Sequence, residues 1–178
     1  MRNITYYVAT SIDGYIEGPD GDISGFVAQG AGVSQYLADL KEFDTVIMGR
    51  NTYEFGYAYG LKPGDLAYPH MEHFVFSNTL KLKEKDEKLH VLPTDINLVH
   101  EIKNRKGGNI YLCGGGVFAA WLLEYEMIDF VKIKLNPLIL GNGTPLFSSA
   151  RQSYQLEVLD RITYSDGLTI INHKVLYP

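Results

Sequence analysis

The chain of 178 residues switches repeatedly between two hydrophobic periods. Ile4–Thr10 (ITYYVAT) is a run of β-branched and aromatic residues and predicts a strand. The Gly- and Asp-studded segment after it, through Gly32, predicts a loop. From Val33 to Phe43 the apolar positions Tyr36, Leu37, Leu40 and Phe43 are spaced as one helical face. Thr45–Met48 predicts a short strand running directly into Gly49-Arg50-Asn51-Thr52 and a helix. Phe74–Phe76 predicts another strand, Lys81–Lys88 (KLKEKDEK) a solvated turn, and Asn97–Arg105 a helix. Ile110–Cys113 and Phe130–Leu135 predict strands on either side of a helix over Gly116–Tyr125. Pro137–Phe147 reads as a loop, and Tyr154–Tyr164 and Leu168–Leu176 flank Asp166-Gly167 as the arms of a hairpin. Strands alternating with helices and then a hairpin predict an α/β fold, with a mostly parallel central sheet flanked by helices and antiparallel strands at the end.

Composition narrows the class. With 46% hydrophobic and 21% charged residues, and no repeat, low-complexity tract or Ser/Pro-rich linker, the chain is expected to form a single domain over residues 1–178. At this size a core closes without disulfides or a structural metal, and the lone Cys113 points to a reducing compartment. The net charge of −5 argues against a nucleic-acid partner. No stretch has the apolar h-region of a secretory leader or the length of a membrane span, so a cytoplasmic protein without a membrane partner is expected. His70 and His73 have no companion ligands at metal-site spacing, and no metal is expected.

Candidate chemistry lies where strands end. In open α/β sheets ligands bind beyond the carboxyl ends of the strands, and three suggestive turns fall there: Gly49-Arg50-Asn51-Thr52, Ser77-Asn78-Thr79 and Gly114-Gly115-Gly116-Val117-Phe118. Helix N-termini attract anions, and glycines let the backbone approach a diphosphate without a Cβ clash. Each turn alone is compatible with an ordinary structural turn; three along one sheet edge favour a dinucleotide. GGGVFA satisfies G-x-G-x-x-A, but it lies late in the chain and the next strand ends at Leu135-Asn136-Pro137 without an acid, so a Rossmann domain does not follow. Neither a P-loop nor a nucleophile elbow is present. Cys113 reads as a buried small residue at a strand end, with a nucleophile as the alternative.

Together, VATSIDGYI (Val8–Ile16), TVIMGRNTYE (Thr45–Glu54), FSNT (Phe76–Thr79) and the long stretch from Ile110 to Phe147 resemble the dihydrofolate reductase superfold. The resemblance is nearest to stand-alone proteins grouped with the RibD C-terminal reductase domain of riboflavin biosynthesis, and it covers nearly the whole chain. It implies a three-layer dihydrofolate-reductase-like fold, NADPH as hydride donor, and a homodimer for which the apolar terminal hairpin offers a surface. By resemblance, Ala9 and Ile16 flank the nicotinamide, while Gly49, Arg50, Asn51 and Thr52 face the adenosine phosphates. Ser77 and Asn78 then read the ribose 2′-phosphate, and Gly114, Gly115, Gly116, Val117 and Phe118 hold the diphosphate. The implied reaction is reduction of a C=N bond in a pterin, a pyrimidine ribosylamine such as 5-amino-6-(5-phosphoribosylamino)uracil, or a related heterocycle. A true dihydrofolate reductase and a non-catalytic NADP(H)-binding sensor are the alternatives.

On the substrate side, Asp39-Leu40-Lys41-Glu42-Phe43 reproduces the carboxylate-Leu-…-Phe pattern of folate reductases, with fewer residues before the next strand. Asp39 is therefore a candidate catalytic acid or a solvated, capping charge. Asp13 is the second candidate acid, with an Asx-type turn as its alternative role. Tyr53 and Tyr57, one helical turn apart, are candidates to line a flat substrate or to pack in the core. The sequence shows no basic set for a ribose phosphate.

Overall fold

The computed structural model describes residues 1–178. The first half of the chain forms β1 (Ile4–Thr10), β2 (Tyr15–Glu17), α1 (Ala31–Leu40), β3 (Phe43–Gly49), α2 (Arg50–Phe55), β4 (Glu72–Phe76) and β5 (Leu89–Leu92). The second half forms α3 (Ile96–Asn104), β6 (Asn109–Gly114), α4 (Gly116–Glu124), β7 (Phe130–Leu135), β8 (Thr144–Pro145), β9 (Gln155–Thr163) and β10 (Thr169–Leu176). Eight strands make one sheet in the order β5-β4-β3-β6-β1-β7-β10-β9. The pairings from β5 to β7 are parallel, and β10 and β9 add antiparallel pairings at one end. No helix is long and apolar enough to cross a membrane.

Side chains of a strand alternate between faces, so the continuous apolar runs of the central strands feed two cores. Ile4, Tyr6, Ile47, Ile110 and Leu112 go to one face, where α3 and α4 cover them through Val99, Ile102, Ala119 and Leu122. Tyr7, Val46, Met48 and Tyr111 go to the other, under Leu40 and Tyr36 of α1 and Tyr53 of α2. Lys103, on the buried side of α3, donates to the Met127 carbonyl (3.0 Å) and to Asp129 (2.7 Å). The same Asp129 oxygen accepts the Ile4 N–H at 2.7 Å, so one ion pair ties α3, the start of β1 and the approach to β7 together.

The structure departs from the expected elements in three places. The predicted helix over Val33–Phe43 starts earlier and stops at Leu40, so Phe43 opens β3, paired with Asn109 and packed on Tyr111 (ring centroids 5.7 Å apart). Leu37 accordingly leaves the buried face and is 55% exposed. Leu89–Leu92 is a strand with too few residues to show a period; its buried Leu89 and pairing with β4 come from tertiary contacts. Within the two expected loops, the one through Gly32 and Pro137–Phe147, β2 and β8 pair with each other in a short antiparallel ladder. The hairpin forms as expected, and β9 is the sheet edge, with all nine residues exposed, Leu156, Val158, Leu159 and Ile162 among them.

Candidate active site

A cleft of about 750 Å³ opens at the carboxyl ends of β1, β3 and β6. Three of the central strands deliver their last residues to it: Val8 and Ala9 from β1, Met48 and Gly49 from β3, Cys113 from β6. β2 adds Ile16 and Glu17 on one side, and α2 and α4 begin at its edge. Two of the three turns expected to enter helices do so. The turn at Ser77 instead leads through the charged Lys81–Lys88 segment to β5, with no helix between.

The glycine turns form a cradle. Gly114 has φ +137°, a backbone conformation that side chains other than glycine rarely adopt, and the Gly114–Gly115 peptide is cis. A Cβ on Gly115 would lie 3.1 Å from Thr52 Oγ1, and one on Gly49 would lie 3.3 Å from the Phe118 Cβ. The Gly49–Thr52 and Gly114–Phe118 turns thus approach one another as bare backbone. Neither α2 nor α4 has a side-chain cap, and the first N–H groups of a helix have no acceptor within it. In α4 these belong to Gly116, Val117 and Phe118, all lining the cleft, Val117 at 70% exposure. Arg50 and Asn51 lie at the same end of the cleft, and Arg50 donates to Thr79 (2.9 Å) and pairs with Glu54 (2.9 Å). Open N–H groups, side-chain-free approach and a guanidinium are the donor set a dinucleotide's phosphates require, so the residues present fit such a group.

Ser77 and Asn78 do not line the cleft. Their side chains shape their own turn: Ser77 Oγ accepts from the Thr79 and Leu80 N–H groups, and Asn78 Oδ1 from Thr94 N–H. Thr94 lines the cleft near them.

Both candidate acids are engaged elsewhere. Asp39 accepts from Lys132 (2.7 Å), Tyr7 Oη (3.0 Å) and Gln35 (2.8 Å) and is not in the cleft lining. Partial burial pushes its carboxyl upward, but these three donors outweigh burial and hold it below its ordinary range. The ionised carboxylate bridges Tyr7 of β1 and Lys132 of β7. Asp13 lies outside the lining and accepts the N–H groups of Leu140 (3.1 Å) and Gly141 (2.7 Å). Hydrogen bonding from Ser11 and those amides pulls it down to about 2, in keeping with the turn-shaping alternative. Tyr53 reaches the lining with its hydroxyl bonded to Asp65 O and Gly64 N–H, whereas Tyr57 packs edge-on against it, away from the cleft.

The remaining wall was not foreseen from the sequence. Tyr7 from β1, Tyr36 from α1, Tyr68 from the connection to β4, and Tyr111 and Cys113 from β6 form an aromatic chamber beside the glycine turns. The available signal was the spacing of Tyr111 and Cys113, two residues apart and therefore on one face of the strand that feeds Gly114-Gly115-Gly116. Burial pushes the Cys113 thiol up, which suits packing and not nucleophilic attack.

Tyr68 is held from behind by His73, which is 0% exposed. His73 Nε2 accepts the Tyr68 N–H (3.2 Å), and Nδ1 faces the Met71 carbonyl (3.0 Å), an arrangement that needs the neutral ring protonated at Nδ1. Burial lowers its pKa to about 4, with the Met71 carbonyl opposing. Between that value and the ordinary 6.5 the unfolded chain binds the extra proton, so stability falls as the pH drops through this window. A loss of about 2.5 kcal/mol between pH 7 and pH 4.5 is expected. Thermal unfolding against pH checks it: the slope should vanish in His73→Gln, whose amide can replace both hydrogen bonds.

The strand order, the two-sided helix cover and the cleft at the strand ends define a dihydrofolate-reductase-like α/β fold. The chain belongs to the RibD C-terminal domain family, whose profile matches residues 2–170. A protein from Shewanella sp. PV-4 provisionally assigned to riboflavin biosynthesis superposes with a TM-score of 0.84 at 25% identity, over 99% of this chain and all of that one. YyaP of Bacillus subtilis (strain 168), described as uncharacterized, is 25% identical over 183 aligned residues, 96% of this chain and 94% of its own. The dihydrofolate reductase of Enterococcus faecalis, in complex with NADP(H), shares the fold at 13% identity with a TM-score of 0.68, covering 98% of this chain and 97% of that one.

Proposed function

We propose that this protein is an NADPH-dependent reductase acting on a C=N bond of a pterin, a pyrimidine ribosylamine or a related heterocycle. The observation that carries the reading is that the two bare-backbone turns and the tyrosine chamber share one cleft, which supports a dinucleotide site beside a pocket for a flat ring. Bound there, NADPH would supply hydride to the carbon of the C=N bond while the nitrogen takes a proton. The chain's own part is orientation: Gly49 and the Gly114–Phe118 turn take the diphosphate, Ala9 and Ile16 bracket the reacting ring, and the aromatic wall keeps water from it. Asp39 and Asp13 are left out of the proton path, which runs through water or chamber hydroxyls.

Arg50 distinguishes NADPH from NADH, because a guanidinium pairs a phosphate through two hydrogen bonds and has little to offer a ribose hydroxyl. In titrations followed by reduced-nicotinamide fluorescence, wild type is expected to prefer NADPH. Arg50→Ala should weaken NADPH by about tenfold and NADH by less than about threefold. Equal losses would remove Arg50 from the 2′-phosphate site, and failure of wild type to bind either nucleotide would sink the reductase reading.

A further inference from the structure

One charged group in the cleft has no part in the reading above. Among the residues that line the cleft, the only carboxylate is Glu17 and the only cation is Arg50. Arg50 stands at the Gly49 turn, where that reading gives it a phosphate, and its ion pair is with Glu54. Asp20 and Asp22, from the loop that follows Glu17, do not reach the lining.

Glu17 is half-buried and held by its strand. It ends β2, directly after Ile16, and its register partner on β8 is Thr144. The Thr144 hydroxyl donates to Glu17 Oε1 at 2.6 Å, and both residues line the cleft. A hydroxyl orients the carboxylate without cancelling its charge, and no Lys, Arg or His forms an ion pair with it. Oε2 and the Phe55 ring flank Gly21: a Cβ there would lie 3.9 Å from the one and 3.3 Å from the other. Phe55 is in the lining too, so an uncompensated negative charge stands beside an aromatic ring on the β2 side of the cleft. Both features favour a flat ligand that carries a positive charge.

Hydride transfer creates such a charge. In the proposed reaction the carbon of the C=N bond takes hydride, with its electron pair, from the dihydronicotinamide, the nitrogen takes a proton, and the cofactor ring goes from neutral to singly positive. A carboxylate fixed next to Ile16, which that reading sets against the ring, attracts the ring only as this charge develops.

We propose that Glu17 is the counter-charge of the oxidised nicotinamide, favouring the positive form of the cofactor over the neutral one and making bound NADPH a stronger hydride donor. The proposal rests on the reductase reading for the position of the ring, and adds to it a residue with a defined electrostatic task.

The test compares three ligands by isothermal titration: NADP⁺, NADPH, and ADP-ribose 2′-phosphate, which keeps the phosphates and lacks the nicotinamide. Glu17→Gln removes the charge, keeps the shape and still accepts the Thr144 hydroxyl, and its retained NADPH binding will show that it is folded. NADP⁺ should bind about tenfold more weakly to the variant than to wild type, while the other two ligands change by less than about threefold. For the bound couple a tenfold change in that ratio is a rise of about 30 mV in reduction potential. The proposal is overturned if NADP⁺ loses no more affinity than NADPH, or if ADP-ribose 2′-phosphate loses as much as NADP⁺; NADPH binding by wild type keeps the reductase reading in either case. Tighter binding of all three to the variant also overturns it, because the carboxylate would then face the phosphates. Wild type that binds none of the three overturns both the proposal and the reductase reading.

Discussion

Gly115→Val is expected to abolish saturable NADPH binding, with affinity at least about 100-fold weaker than wild type, a loss of about 2.7 kcal/mol. Gly115 has φ −93°, so a side chain there strains no backbone, and the nearest atom to its Cβ is Thr52 Oγ1 at 3.1 Å. The valine methyl groups would press on Thr52 and cover the backbone that the proposed reading gives to the diphosphate. Because the site is a surface cleft, the thermal midpoint should move by no more than a few degrees. Isothermal titration together with thermal unfolding separates the two effects. Unimpaired binding would show that the glycine turn is structural, and a collapsed midpoint would show that Gly115 is needed for folding.

The second large effect concerns stability. Asp129→Ala should destabilise the protein by about 3 kcal/mol, because it leaves the buried Lys103 ammonium with only the Met127 carbonyl and also frees the Ile4 N–H. At this chain length that corresponds to a fall in the thermal midpoint of about 6–12 °C. Lys103→Met removes the charge instead of stranding it, and should lower stability by less than about 1.5 kcal/mol. Similar midpoints for the two variants would mean that the ion pair holds nothing in place. NADPH affinity at low temperature should be unchanged in both, since neither residue lines the cleft.

Most of the sheet could be read from the chain because its strands are buried on both faces and its helices carry regular stripes. Phe130–Leu135 and Ile4–Thr10 form as strands with the expected bounds. The misplaced pieces are those whose structure depends on distant partners. Leu89–Leu92 becomes a strand because β4 offers it an edge, and Tyr15–Glu17 because Thr144–Pro145 lies alongside. The backbone half of the cleft was legible because glycine at a strand end has few structural reasons to recur. The tyrosine half was not, since Tyr7, Tyr36, Tyr68 and Tyr111 come from four separate segments, each of which reads locally as core. Asp39 shows how a distant partner alters a local pattern. Its local pattern matched a catalytic acid, but Lys132, 93 positions further on, claims its carboxylate.

The strand order carries a consequence for how the chain reaches this state. β6 lies between β3 and β1, both of which precede it in sequence. A chain emerging from the ribosome therefore holds the two walls of the future cleft as separate fragments with unsatisfied edges until residues 109–114 slot between them. The same insertion brings Tyr111, Cys113 and the glycine turn into place. Wall, floor and cradle are thus completed in one event, and no shorter nascent chain should hold nucleotide.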